Sequence, residues 1–210
     1  MDKKEIQKFA EEIEIPYLLH FTHISNLKGI MEKGLISRNA VDKSTSEIRT
    51  NDRERYDNRK DTISLSIAHP NDLMFYKYRD NHEDWCVVAI EKNVLWEQDI
   101  LFCKHNAADT SIRSKSDFLL SSIDAFRAMF EEVPFSNSRK EQCLKDFDPT
   151  DKQAEILVKN HVPVENIKGI FLPNRQVKKD YKDIIGDRQV AINSQDRGVY
   201  ASRLYRRKWQ

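Results

Sequence analysis

The chain has 210 residues, of which 39% are hydrophobic, so it contains enough apolar material for the core of one domain. Its 35 lysines and arginines nearly balance its 34 aspartates and glutamates. The resulting net charge of +1 excludes a global electrostatic attraction to nucleic acid or to an acidic membrane, and any such binding needs a local patch. We expect a single domain over residues 1–210, with a basic C-terminal tail at about 199–210.

The cysteines and the N-terminal segment indicate the compartment. Cys86, Cys103 and Cys143 are far apart and show no CxxC spacing, which argues against a disulfide framework and a zinc site. His20 and His23 have no third ligand at a useful spacing, so no metal is expected. The segment "MDKKEIQKFAEEIEIP" is charged, and no run of about eighteen apolar residues occurs. We therefore expect a soluble, cytoplasmic protein with no membrane partner.

The first half of the chain predicts helices and strands in irregular order. A first helix ends before Pro16, and "PYLLHFTHI" predicts a strand. "SNLKGIMEKGL" has helical spacing, with Ser25 as its predicted N-cap and Gly34 at its end. Residues 42–62 are almost wholly polar and predict a long loop, after which "ISLSI" and "WCVVAIE" predict strands.

The second half predicts one helix, a polar segment and three strands. "SDFLLSSIDAFRAMFEEV" places apolar residues on one helical stripe that we expect to face the core: Phe118, Leu119, Ile123, Phe126 and Phe130. Residues 134–152 are polar, and "QAEILV", "IKGIFLP" and "QVAI" predict strands. Short strands mixed irregularly with helices are typical of an α+β fold.

One carboxylate interrupts an apolar run in "TDKQAEILV". If Ala154, Ile156 and Val158 point into the core, Glu155 and Leu157 share the opposite face of the strand. That face is either solvent or a cleft, and these nine residues do not decide between them. Elsewhere, Cys103 and His105 are neighbours of the types found in a nucleophile pair, but a buried free thiol is the commoner outcome.

Four motifs, in this order, carry a resemblance to a known family: "YLLHFTHISNLKGIMEKGLIS", "NDRERYD" before "ISLSIAHPNDLMFYKYR", "LFCKHNAA", and "DKQAEILVKNHVPVENI". Over residues 16–175 the sequence resembles the DarT family of nucleic-acid-modifying ADP-ribosyltransferase toxins. The resemblance implies an ADP-ribosyltransferase-like α+β core of mixed short strands with flanking helices, which splits NAD+. It also implies that Glu155 and Arg55 are catalytic, with Arg49 and Arg53 as rivals of Arg55, and that His20 lies against the dinucleotide.

The residue types suit this chemistry. Cleavage of the bond between nicotinamide and ribose passes through an oxocarbenium-like state, which a carboxylate near the ribose 2′-hydroxyl stabilises. Arg55 can hold a pyrophosphate in a bidentate grip, whereas Arg59 in the same loop is expected to be solvated. We predict that further residues bind the cofactor, with a place in the core as the alternative for His20 and Tyr76: His20, Thr22, Asn39, Ser64, Ser66 and Tyr76.

Basic residues with interleaved aromatics predict a nucleic-acid surface. Two segments supply them, residues 134–152 and the tail "SRLYRRKWQ", with Arg139, Lys140, Phe147, Arg206 and Arg207 as the predicted binding residues. A frayed basic C-terminus is the alternative for the tail.

Three functions follow from these patterns. The first is a toxin enzyme that transfers ADP-ribose from NAD+ to a nucleobase of single-stranded DNA or RNA and is held in check by an antitoxin protein. Single strands are favoured because a stacked, paired base is inaccessible. The alternatives are the same transfer to a protein side chain and a non-catalytic nucleic-acid binding module.

Overall fold

The structure is a computed structural model that describes residues 3–42, 48, 49 and 56–210. Its strands are β1 Leu18–His23, β2 Leu35–Ile36, β3 Thr62–Ile67, β4 Trp85–Ile90, β5 Ile100–Cys103, β6 Glu155–Lys159, β7 His161–Val162, β8 Ile167–Leu172 and β9 Gln189–Ile192. Its helices are α1 Lys3–Glu12, α2 Leu27–Lys33, α3 Arg38–Asp42, α4 Asp72–Tyr76, α5 Val94–Glu97, α6 Thr110–Arg113, α7 Asp117–Leu120, α8 Ile123–Ala128, α9 Arg175–Asp180, α10 Lys182–Ile185 and α11 Arg203–Trp209.

Seven strands form one mixed sheet in the order β5-β6-β3-β1-β4-β8-β9. Neighbouring strands run antiparallel except β8 and β9, which are parallel. A separate two-stranded sheet joins β2 to β7. The predicted α+β fold class is confirmed.

Apolar side chains cover both faces of this sheet. The largest cluster packs α1, α2 and α8 against one face and includes Ile6, Leu27 and Phe126. On the opposite face Leu19 and Val87 belong to a smaller cluster, against which Phe21, Phe75 and Tyr200 pack. Because both faces are covered, strand β4 is buried along its whole length, which explains its continuous apolar sequence "WCVVAI".

The sheet opens between β1 and β3. β1 pairs with β4 through His23, but it pairs with β3 only at Leu18 and Leu19. On the other side of β3, pairing with β6 runs as far as Leu65 and Ile156, and Glu155 lies one residue beyond. The opening between β1 and β3 places a gap in the sheet close to Glu155.

The predicted long helix over "SDFLLSSIDAFRAMFEEV" is wrong in one respect. The chain breaks it into α7 and α8, because the Ser122 side chain accepts a hydrogen bond from the Ala125 N–H and begins a new helix. Because of this break, Phe118 and Leu119 do not face the core. They are 84% and 56% exposed, whereas Phe126 is fully buried.

One smaller prediction also needs correction. Ser25 lies inside a 3₁₀ turn over Ile24–Asn26 and does not cap α2, whereas Gly34 does end that helix, at a φ of 77°. Strand β5 had no clear period in the sequence, since all four of its residues are buried. In the part of the chain that the structure describes, no helix is both long and apolar enough to cross a bilayer.

Candidate active site

Glu155 is a buried carboxylate with both oxygens engaged. Its side chain is at the first position of β6 and is 6% exposed. The Ser64 hydroxyl donates to Oε1 at 2.8 Å, and the backbone N–H of Ala107 donates to Oε2 at 2.8 Å. Hydrogen bonds to the charged form of a buried carboxylate offset its desolvation and fix its orientation. The face of β6 that carries Glu155 is therefore a cleft, which answers the question that the strand pattern left open.

The segment "HNAA" supplies the second of these donors. Asn106 turns the chain after β5, because its side-chain oxygen accepts a hydrogen bond from the Ala108 N–H at 2.9 Å. This turn aims the Ala107 N–H at Glu155. Sequence analysis quoted the segment but did not assign it a role, although an asparagine shortly after an apolar run is a turn signal.

β1 supplies the facing wall through His20 and Thr22. The His20 ring contacts the Ser64 carbonyl oxygen through Nδ1 at 3.0 Å, at the point where β1 and β3 no longer pair through their backbones. The Thr22 hydroxyl accepts a hydrogen bond from Asn26 at 2.9 Å. Asn26, which sequence analysis missed, also joins Arg49 through both backbone groups of that residue.

The cleft between these elements has a volume of about 510 Å³. His20, Thr22, Ser64, Ser66 and Glu155 all line it, together with α2 and the turn at 106–108. Sites for small molecules and cofactors are commonly about 300–1,000 Å³. Chemically, the cleft presents a fixed carboxylate, several hydroxyl groups and an imidazole, a set that suits a ribose and a developing positive charge.

The cation predicted to assist Glu155 falls in a part of the chain that lies outside the described residues. Arg55 and its rival Arg53 are both there, so the role of Arg55 stays a prediction. Arg49, the other rival, lines the cleft and donates to His23 Nε2 at 3.0 Å. The expected solvation of Arg59 is wrong, because its guanidinium bonds the Asp117 carboxylate and the Lys115 carbonyl oxygen.

Two predicted cofactor residues lie away from the cleft. Asn39 is exposed on α3 and is not among the residues that line it. Tyr76 is 62% exposed on α4, where Asn71 and Met74 face the cleft instead. Residues two apart on a helix point in nearly opposite directions, so the turn that brings Met74 to the cleft carries Tyr76 away from it.

Arg206 and Arg207, two predicted nucleic-acid residues of the C-terminal tail, form structural contacts. Arg206 donates to the Ala68 carbonyl oxygen and to the Tyr17 hydroxyl. Arg207 binds the Asp148 carboxylate through two bonds of 2.6 Å, and its guanidinium stacks over the Phe147 ring. The tail is thus the packed helix α11, whose two arginines bond groups of the protein itself. The phosphate contacts predicted for these arginines and the base stacking predicted for Phe147 stay predictions.

Within residues 134–152, Arg139 likewise bonds groups of the protein itself. Arg139 donates to the carbonyl oxygens of Lys145 and Asp148 and to the Thr150 hydroxyl, so it organises the segment that leads to β6. Of the predicted binding residues there, Lys140 alone has an exposed side chain. Arg139 thus has structural contacts, and its role in nucleic-acid binding stays a prediction.

The Cys103 and His105 pair is not a nucleophile. Burial, and then the charge of Glu155, raise the pKa of the Cys103 thiol to about 12, so the thiol stays protonated. His105 contacts Asp151 at 2.6 Å. Within the described ranges, no three His, Cys, Asp or Glu side chains come close enough together to hold a metal ion.

The family model described as "ssDNA thymidine ADP-ribosyltransferase, DarT" matches residues 19–200. The chain belongs to the DarT family. Membership confirms the resemblance seen in the sequence and the enzyme class, an ADP-ribosyltransferase. Of the two predicted acceptors, it supports single-stranded DNA and not RNA.

Solved DarT structures share the fold. Thermus sp. 2.9 DarT in complex with NAD+ is 18% identical, with a TM-score of 0.58, and the match covers 86% of this chain and 96% of that chain. The same Thermus protein in complex with ADP-ribosylated ssDNA gives 16% identity and a TM-score of 0.58, over 86% and 95% of the two chains. Thermosipho africanus DarTG in complex with ADP-ribose is 19% identical with a TM-score of 0.57 over 90% of this chain, which spans about half (51%) of that one. No curated protein sequence is similar to the chain.

Proposed function

We propose that this protein transfers ADP-ribose from NAD+ to a thymine base of single-stranded DNA and releases nicotinamide. The bond between nicotinamide and ribose C1′ breaks, and nicotinamide leaves with the bonding electrons. The base supplies the electron pair of the new bond and releases one proton to water. The proposal of thymine rests on the description of the family model. The observation that carries the reaction is the Glu155 carboxylate, held by Ser64 and Ala107 at the wall of the cleft.

The roles of the lining residues follow from their chemistry. Glu155 stabilises the positive charge that develops on the ribose as nicotinamide departs. Ser64 and Ala107 keep the two carboxylate oxygens in place, so little reorganisation is needed during the reaction. His20, Thr22 and Ser66 contact the ribose or the carboxamide of NAD+, and Arg55 is the second catalytic group.

An antitoxin protein restrains this activity in our proposal. Support comes from the likeness to the Thermosipho DarTG, whose chain is about twice as long as the part matched here. A toxin that modifies DNA needs such a restraint in the cell that makes it. Transfer to a protein side chain and loss of catalysis, the two alternatives from the sequence, have no comparable support.

The decisive variant is Glu155→Gln. The amide has nearly the same volume but lacks the negative charge that the transition state needs, so we expect transfer to fall at least about 100-fold while NAD+ binding persists. Transfer is measured with labelled NAD+ and separate pools of single-stranded DNA, duplex DNA, RNA and protein.

The matched control is Glu165→Gln, which makes the same change at an exposed position after β7 and is expected to transfer at the wild-type rate. Near-wild-type transfer by Glu155→Gln would remove Glu155 from the mechanism. Label in RNA or protein instead of single-stranded DNA would overturn the proposed acceptor.

A further inference from the structure

A second concave surface lies at the edge of the seven-stranded sheet that is remote from β5. It has a volume of about 610 Å³ and is formed by α9, α10 and strand β9, and we call it the edge concavity. Five basic side chains and one acidic side chain line it: Arg175, Lys178, Lys179, Lys182, Arg188 and Asp187. A protein whose net charge is +1 thus carries a local concentration of positive charge.

Four of these cations keep their hydrogen-bond donors available. Arg175, Lys178, Lys179 and Lys182 are exposed, and none of these four side chains has a hydrogen-bond or ion-pair partner among the described residues. Three acids lie nearby, Asp180, Asp183 and Asp187, and among the described residues none of them forms an ion pair with these four cations; Asp180 accepts a hydrogen bond from Gln176 at 2.7 Å. By contrast, the side chains of Arg139, Arg206 and Arg207 donate hydrogen bonds to carbonyl oxygens or carboxylates of the protein.

Positive charge also connects the edge concavity with the cleft. Helix α10 packs against α2, and α2 lines the cleft. Two exposed lysines of α2, Lys28 and Lys33, belong to that lining, beside the acidic Glu32. A chain of phosphates that left the cleft over α2 would pass onto α10, which packs against α2 and carries Lys182, and then onto α9, which packs against α10.

We propose that the edge concavity binds backbone phosphates of the single-stranded DNA substrate, several nucleotides away from the base that is modified. Lysine and arginine side chains without internal partners are the groups that neutralise phosphates, and such contacts hold a strand in position without reading its sequence. The apolar floor of Ile185, Val190 and Ile192 contains no ring on which a base could stack, so this surface adds affinity and not base choice. The inference rests on the proposed function, because it takes single-stranded DNA as the acceptor.

The test compares two acceptors that carry the same modifiable sequence, an oligonucleotide of about 5 nucleotides that fills only the cleft and one of about 25 that can also reach the edge concavity. The variant is the triple substitution Lys178→Ala, Lys179→Ala and Lys182→Ala. The matched control removes three exposed or half-exposed lysines elsewhere, Lys8→Ala, Lys92→Ala and Lys115→Ala. Circular dichroism and NAD+ hydrolysis without DNA establish that each protein is folded and active.

We expect the triple variant to modify the long oligonucleotide about 10-fold more slowly at subsaturating concentration and the short one at the wild-type rate. Three lost phosphate contacts should also lower the slope of log affinity against log salt for the long oligonucleotide by about 2, since each contact on a single strand contributes about 0.7. The control should change neither quantity.

Equal losses on both oligonucleotides, or no loss on either, would overturn the inference. So would a variant that modifies DNA normally but no longer binds the antitoxin, because the occupant would then be an acidic protein surface. Failure of the proposed function has a different signature: the wild-type protein would split NAD+ and modify neither oligonucleotide, and the inference would fall with it.

Discussion

The two oxygens of Glu155 have different kinds of partner, and only one of these partners can be removed by substitution. Ala107 donates through its backbone, whereas Ser64 donates through its hydroxyl. We predict that Ser64→Ala lowers kcat for NAD+ cleavage about 10- to 100-fold, because a hydrogen bond to a charged group contributes about 1.5–3 kcal/mol. KM for NAD+ should change little, and Ser64→Thr should restore part of the rate because it restores the hydroxyl.

Steady-state kinetics with varied NAD+ separate these two constants. A raised KM with an unchanged kcat would instead assign Ser64 to ground-state binding of NAD+. Thermal unfolding of the variant gives the control, since Ser64 is on strand β3 and a general loss of packing would lower the melting temperature as well.

His23 provides a prediction of pH dependence. Burial, and then the Arg49 guanidinium, lower the pKa of its imidazole below 6.5, against the opposing effect of the Asp84 carboxylate. Between the lowered pKa and 6.5 the unfolded chain binds more protons than the folded protein, so the free energy of unfolding decreases as the pH falls through that window. The contact of His23 with Arg49 should weaken below the lowered pKa, because both side chains are positive only there.

Urea unfolding at pH 5.5 and 7.5 tests this dependence. We expect His23→Gln to lose less stability than the wild-type protein between these two values, since the amide does not titrate. Parallel losses in the two proteins would show that His23 does not contribute to the pH dependence.

At the scale of elements, strands were predicted from sequence more completely than helices. β1, β3, β4, β6, β8 and β9 match apolar or alternating runs, because burial in a sheet leaves a direct trace in composition. The helices over residues 110–128 are only four to six residues long, and their boundaries depend on side-chain caps by Asp109, Ser116 and Ser122 within an otherwise regular pattern. A period of 3.6 continues across such a break in the sequence, which is why one helix was expected where α7 and α8 occur.

Helix α11 shows how a basic sequence can have a structural purpose. Arg207 and Asp148 are 8% and 0% exposed and share two hydrogen bonds of 2.6 Å. We predict that Arg207→Ala lowers the free energy of unfolding by about 3–5 kcal/mol, because it leaves a buried carboxylate without its partner. We expect the substitution to change the free energy of unfolding before it changes the affinity for nucleic acid.

Lys208→Ala is the matched control for urea unfolding, because Lys208 is exposed and contacts only the neighbouring Trp209 ring at 5.2 Å among the described residues. Its effect should stay within about 0.5 kcal/mol. If both variants lose the same small amount of stability, α11 is a dispensable appendage and Asp148 finds other partners.

At the scale of the whole molecule, predicted site residues come together where strands fix the direction of their side chains, and their roles stay predictions. His20, Thr22, Ser64, Ser66 and Glu155 line one cleft, as the alternation along their strands indicated. Asn39 and Tyr76 are on short helices, where an error of one residue turns a side chain by about 100°. The internal contacts of Arg139, Arg206 and Arg207 were missed for another reason. Sequence alone does not reveal which carbonyl oxygens the fold leaves for a guanidinium to bind.

The same assembly of distant segments predicts how the whole molecule responds to NAD+. The cleft is lined from α2, β1, β3, β6 and the turn at 106–108, so a molecule bound there contacts segments that are separate in the chain and are brought together only by folding. A ligand that binds only the folded state stabilises it by about 2.7 kcal/mol at 100 times its Kd. For a protein of this size, that free energy corresponds to a rise in melting temperature of about 5–10 °C.

We expect this rise with NAD+ in both the wild-type protein and Glu155→Gln, since the variant is predicted to retain binding while it loses catalysis. Thermal unfolding at increasing NAD+ concentration checks it, with nicotinamide alone as the control ligand because it fills only part of the cleft. A melting temperature that does not depend on NAD+ concentration in either protein would mean that the cleft does not bind the dinucleotide, and the role given to Glu155 would lose its substrate.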